Sequence, residues 1–238
     1  MLASRDNLAT LAAGVALVVL ALPALTACSA RDDAGPRRTT SSAPSASPKP
    51  TPPEEVLSGL AAKGVAALFT GTYKLDSIDP KQADALVTIY RLDSSYRVDV
   101  KRKGATSILM TTKDGLVSCQ VQPSRRTCLL VGDAAKSPPK LFDPGLQRLF
   151  TTDLVALARG DGITVTPAGV LVPAGSIGSA TCFQVTGTGV DPGEYCLTDA
   201  GILRRAQFPS GTLELTALSG EPAASAFIPP ATPTPLPS

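Results

Sequence analysis

Histidine is absent from this sequence of 238 residues, and so is tryptophan. Without histidine the chain cannot assemble a Ser-His-Asp or Cys-His catalytic arrangement, and it lacks the side chain most often used to bind zinc or to titrate near neutrality. No metal, no cofactor and no catalytic residue is therefore expected. Aromatic residues are only 4%, which leaves mid-sized aliphatic side chains to make up most of the apolar strand faces. An excess of charge is missing as well. With 22 Lys+Arg against 20 Asp+Glu the net charge is +2, and charge alone implies no nucleic-acid partner.

Short matches to catalytic and binding motifs do not survive inspection. Ser137-Pro138-Pro139-Lys140 has the spelling of a serine acyl-enzyme, but the two prolines forbid the helical turn that brings lysine beside serine. Gly187-Thr188-Gly189 opens like a dinucleotide fingerprint, yet no helix is predicted after it. Arg159-Gly160-Asp161 reads as a helix end followed by a turn. No two carboxylates are marked as facing each other across a cleft, as acid/base hydrolysis requires.

What is present begins at the N-terminus. Arg5, an apolar stretch from Leu8 to about Leu25, and a small-residue exit make a secretory signal peptide. Leu25-Thr26-Ala27-Cys28 resembles the bacterial lipobox, which implies cleavage before Cys28 and lipidation of that cysteine. Two or three acyl chains there would hold the protein on the outer face of the cell membrane, since each buried methylene contributes about 0.8 kcal/mol. Residues 28–53 are rich in Ser, Pro, Ala and Thr and should form a disordered tether, with 1–27 as the signal. Residues 54–229 are left as one domain, and the Pro-rich 230–238 is expected to hang free.

Four cysteines remain for an oxidising compartment: Cys119, Cys128, Cys182 and Cys196. Sequence permits three connectivities. Local pairing, Cys119 with Cys128 and Cys182 with Cys196, is preferred because each pair sits on what read as neighbouring antiparallel strands. A four-thiolate metal site is the competing arrangement, but the spacings exceed the usual two to four intervening residues.

The pattern predicts a helix over "EEVLSGLAAKGVAALF", with Leu57, Leu60, Ala61, Gly64 and Leu68 on one face. Five antiparallel strands follow between residues 83 and 131, including the alternating "YRVDVKR" and a hairpin at Asp114-Gly115. A second helix is bracketed by Asp143 as cap, Pro144 at its first position and Gly160 past its end. Strands at "TCFQVTG", "GEYCLTD", "GILRRAQFP" and "TLELTAL" complete an α+β order of helix, meander, helix, meander. The mid-sized Val87, Ile89, Val98, Val100, Ile108, Met110 and Val117 fit two states: a filled core under the helices, or the lining of an apolar cavity.

The initial helix followed by "GTYKL", the "YRVDVKRKG" strand, the turn in "GEYCLTDAGILRRAQF" and the closing "ASAFIPP" resemble envelope lipoproteins of high-GC Gram-positive bacteria, similar to the LolA and LppX lipid-carrier families. The resemblance implies a curved antiparallel sheet, a half-barrel, with helices packed on its concave face. It also implies an acyl chain or lipidated protein as cargo, bound without catalysis by a monomer. The two cysteine pairs depart from the carrier pattern. A regulatory or scaffolding lipoprotein that binds other envelope proteins is the second reading.

Overall fold

The computed structural model describes residues 50–78, 84–143, 145–173 and 177–236. The signal peptide, Cys28, most of the tether and Pro144 lie outside the described residues.

Helix α1 spans Pro53–Ala66, with proline at its start, Glu54 and Glu55 in the first turn and Lys63 in the last, the charge order that the helix dipole favours. It buries Leu57, Ala61 and Gly64. Ala67 is already extended, so Leu68 leaves the helical face on which it was expected and stands 43% exposed. The chain then enters β1, Phe69–Ser77, whose alternate residues Phe69, Gly71, Tyr73 and Leu75 are buried. The sequence pattern alone does not mark this strand.

A regular meander follows: β2 Ala85–Leu92, β3 Ser95–Arg102, β4 Ala105–Thr112, β5 Gly115–Gln122 and β6 Arg125–Gly132. A connection through a 3-10 turn at Lys140–Phe142 leads to α2, Leu146–Arg148, a π-helical turn, Leu149–Asp153, and α3, Leu154–Arg159. The predicted second helix is thus present but irregular. It stops at Gly160, which takes the left-handed conformation at φ 73°. The cap differs from the expected one. The Asp143 carboxylate accepts from the hydroxyls of Thr151 and Thr152 a full turn or more away, and the helical turns begin at Leu146.

The second meander is β7 Ile163–Leu171, β8 Ala180–Gly187, β9 Gly193–Thr198, β10 Leu203–Phe208 and β11 Gly211–Ser219, of which β7 is again unmarked in the sequence pattern. Strand β1 pairs with β2 on one side and β11 on the other, so the two meanders fuse into one open sheet of 12 strands running from β12 and β6 at one edge to β7 at the other. The sheet is mixed rather than purely antiparallel, because β12, Thr234–Pro235, runs parallel to Leu129 and Leu130 of β6.

That short strand also revises the expected free C-terminus. From β11 the chain makes a 3-10 turn at Ala224–Phe227, where the Ala226 carbonyl accepts from Arg97, and Ala231 packs beside Ile108, Met110, Val117 and the Cys119–Cys128 bond. Prolines leave this segment few backbone donors, but small residues let it lie flat. It covers apolar surface on one face of the sheet and protects the β6 edge from pairing with another chain. Edge strand β7 is blunted instead by Pro167 and an irregular register between Pro167 and Gly169.

The main core lies on the other face. Leu57 and Ala61 of α1, Leu149, Phe150, Leu154 and Leu157 of the irregular helical segment, and Tyr73, Val87, Ile89, Val98, Tyr195 and Leu215 of the sheet belong to one buried cluster. Tyr73 and Phe150 meet at 4.9 Å between ring centroids. Arg91 ties the helices to the sheet: although buried, it donates to the Val65 carbonyl near the end of α1 and to the Phe150 carbonyl of the π-turn. Those are carbonyls that helix ends and π-turns leave without a regular partner.

Both disulfides are local. Cys119 bonds Cys128 and Cys182 bonds Cys196, each pair directly opposite across neighbouring strands with Cα atoms 4.0 Å apart. They lie on the sheet face away from the helices. With sequence separations of 9 and 14, loop entropy assigns each about 2.5–3 kcal/mol. Replacing Cys119 and Cys128 by alanine should therefore lower unfolding free energy by about that amount in denaturant titrations; an unchanged midpoint would contradict the assignment.

Candidate functional site

The seven residues expected to form a common lining do not share one surface. Val87, Ile89 and Val98 are fully buried in the main core, and Val100 packs at its border. Ile108, Met110 and Val117 point to the opposite face, beside the Cys119–Cys128 bond. The register shows why: Val98 is opposite Leu109, so Ile108 and Met110 have the other parity. The continuous run Ile108-Leu109-Met110 is buried on both faces, and such a run hides its own parity.

A groove lies instead between the helical segment and the sheet face carrying Val98, Val100 and Arg102. One compartment, of about 370 Å³, is lined by Ser118, Thr127, Leu129, Leu141 and Phe142 together with Ser107, Gln120 and Gln147. The next, also about 370 Å³, shares Ser107, Gln120 and Gln147 and adds Val100, Arg102, Ala105 and Leu146. A third, of about 300 Å³, shares Arg102 and Leu146 and is bounded by Leu75, Leu149, Phe208, Pro209 and Asp191. Ser, Thr and Gln side chains line the first two compartments beside Leu129, Leu141 and Phe142, whereas the third is walled mainly by Leu, Phe and Pro with Asp191 and Ser210 at its border, and Arg102 stands between the second and the third.

Local structure explains the placement. In β3 the alternation that buries Val98 and half-buries Val100 carries Arg102 to the same face. In β5, Ser118 and Gln120 have the parity of Leu116, and Gln120 donates to the Ser107 hydroxyl of β4 at 2.8 Å. Gln147, only 3% exposed, reaches from α2 toward the Val98 carbonyl at 3.5 Å, which spans the groove. Leu141 is 81% exposed at the rim.

Behind this segment lies a charged cluster. Asp153 is fully buried and receives a hydrogen bond from Arg148 Nε at 2.9 Å. Burial pushes its pKa up to about 6, against the lowering effect of Arg148. Asp143 is raised too, again by burial first, while the hydroxyls of Thr151 and Thr152 oppose the rise. Tyr195 donates to the Asp191 carbonyl at 2.6 Å, and burial holds its phenol neutral far above the ordinary range. Together these groups pin the irregular helical segment to β9 and the loop before it.

The chemistry available is recognition by hydrogen bonding, one guanidinium and apolar burial. Cys182, Glu194 and Cys196 come close together, but both sulfurs are committed to a disulfide and offer no thiolate ligand. Sequence reasoning missed Arg102, Gln120, Gln147 and Phe208. Arg102 is within reach of the sequence, because the same alternation that selects Val98 and Val100 continues to residue 102.

No family model matches the chain, and a search of the curated proteins finds no match. Among solved structures, the crystal structure of MucB is similar with a TM-score of 0.43 and 19% identity, over 75% of this chain and 63% of that one. The chain thus spans less than two thirds of MucB. Among the described residues no helix is long and apolar enough to cross a membrane.

Proposed function

We propose that this chain is a non-catalytic, extracytoplasmic lipoprotein, anchored by acylated Cys28 to the outer face of a membrane, that holds a lipid or acylated molecule in the groove beneath its helical segment. The sheet in this reading is a half-barrel whose concave face carries the helices. The observation that carries it is the groove itself, in which the hydrogen-bonding side chains of Ser107, Gln120 and Gln147 lie next to an apolar stretch at Leu75, Leu149 and Phe208. Polar and apolar walls side by side suit a molecule with a chain and a head. Affinity would come from buried methylenes, about 0.8 kcal/mol each. Binding without turnover is part of this reading, in a sequence that has no histidine to serve as a general base.

The filled core at Val87, Ile89 and Val98 and the exposed Leu141 at the rim favour a second reading, a scaffolding lipoprotein that grips a protein partner at this edge. No nucleic-acid partner is proposed, and the protein is taken to act as a monomer.

Anchorage is tested by Cys28→Ala. The variant is expected to leave the membrane fraction and appear in the aqueous fraction after cell disruption. Retention equal to that of the parent chain would remove the lipid anchor from the account.

A further inference from the structure

We infer that Arg102 is the head-group site of the groove, and that the ligand is a single-chain carboxylate amphiphile of the long-chain fatty acid type. This deepens the proposed function and rests on its reading of the groove as an acyl-binding channel.

Arg102 lines both the compartment that holds Ser107, Gln120 and Gln147 and the one walled by Leu75, Leu149 and Phe208, the position a charged head would require if its chain turned toward the latter. Among the described residues its guanidinium has no ion-pair partner, and its buried Nε has no hydrogen-bond acceptor. Nε is shielded, so the terminal nitrogens, which have no acceptor among the described residues, are the ones that can meet an anion in the groove.

The surroundings specify which anion. Ser107 accepts its hydrogen bond from Gln120, so its own hydroxyl proton is free to be donated toward the groove. These are neutral donors, and among the described residues Arg102 is the single cation lining either of the two compartments. One planar fork and neutral donors match a singly charged, planar carboxylate, which an arginine grips in bidentate fashion. Asp191 borders the apolar compartment and repels a head placed there, so the head is directed to the Ser107 and Gln120 side of Arg102. With about 300 Å³ between Leu75, Leu146, Leu149 and Phe208, the apolar compartment takes one chain.

The test is calorimetric titration of the full, oxidised chain with laurate and with 1-dodecanol, which share a chain and differ in charge. Laurate is expected to bind about tenfold or more tightly than dodecanol, the scale of a charge-assisted hydrogen-bond pair. Arg102→Gln should abolish that preference without weakening dodecanol, and Arg102→Lys should restore part of it. Equal affinities in the parent chain, or a preference that persists in Arg102→Gln, would overturn the head-group assignment while leaving the acyl channel intact. Binding of neither probe would overturn the channel and the assignment together. Unchanged thermal unfolding of both variants shows that the loss is one of recognition.

Discussion

Gly201→Ala should cost the fold about 2–5 kcal/mol, the largest single loss expected from adding one methyl group. Gly201 closes the turn between β9 and β10. Its N–H donates to the Thr198 carbonyl at 2.7 Å, and its φ is +77°, a backbone region that disfavours a side chain by about 1–2 kcal/mol. Helix α1 lies directly on this turn. A Cβ at Gly201 would stand 2.0 Å from the Leu60 carbonyl oxygen and 2.3 Å from the Gly64 nitrogen, and a Cβ at Gly64 would stand 2.0 Å from the Gly201 carbonyl oxygen. These neighbours are backbone and cannot swing aside, so helix and sheet must part. Gly189 supplies the control, with φ +85° and nothing within 4 Å of its added Cβ. Gly189→Ala is expected to show the backbone penalty alone. Denaturant midpoints of equal depression in the two variants would contradict direct docking of α1 on the turn.

Arg148→Leu should lower stability by about 3 kcal/mol at pH 7.5, with most of that loss disappearing by pH 5. Asp153 is buried and already raised to about 6 with Arg148 beside it. Its usual unfolded value is about 3.9. The folded state therefore binds the proton more readily, and the stabilisation this gives is complete below about pH 4 and lost as pH rises through about 6. Above that the carboxylate is ionised and depends on Arg148. Asp191 adds to the negative field at both Asp153 and Tyr195. Removing the guanidinium moves the Asp153 value higher still, so the variant suffers most where the parent carboxylate is charged. Asp153→Asn should flatten the acid limb of the parent profile. Thermal unfolding from pH 4.5 to 8 checks both. An Arg148→Leu penalty constant across that range would refute the pairing as the source of the loss.

Much of the strand pattern is legible in local chemistry. Tyr96, Val98 and Val100 alternate with charged residues, the expected hairpin forms with its turn at Lys113-Asp114 and Gly115 opening β5, and both disulfide pairs form across adjacent strands. Long-range partners leave weaker marks. Strand β1 contains Gly71, Lys74 and Asp76, and its identity comes from pairing with β2 and β11, which sequence periodicity does not encode. The irregular helix is hidden for the same reason. Its π-turn offers the Phe150 carbonyl to Arg91, a residue 59 positions away. The Pro-rich C-terminus looks featureless in sequence because its partners are elsewhere: Arg97 for the Ala226 carbonyl and β6 for Thr234.

The groove follows the same rule. Its floor comes from the parity of β3, β4 and β5 and its roof from α2 and the residues before it. Only the floor is written in a strand alternation. The apolar pattern favours Val87, Ile89 and Val98, which the structure fills with helix side chains, leaving the open space farther along where Ser107 and Gln120 face Gln147. Polar residues at inward strand positions are the available signal. They are outweighed by the apolar ones beside them.

The central claim is that the groove holds an acyl-chain ligand, and native mass spectrometry of the full chain, released gently from membranes and paired with lipid extraction, tests it most directly. The account predicts a stoichiometric mass increment beyond the covalent anchor, carried by an extractable single-chain acid. A protein mass explained wholly by the polypeptide, its anchor and its two disulfides, with no extractable acyl ligand, would contradict it.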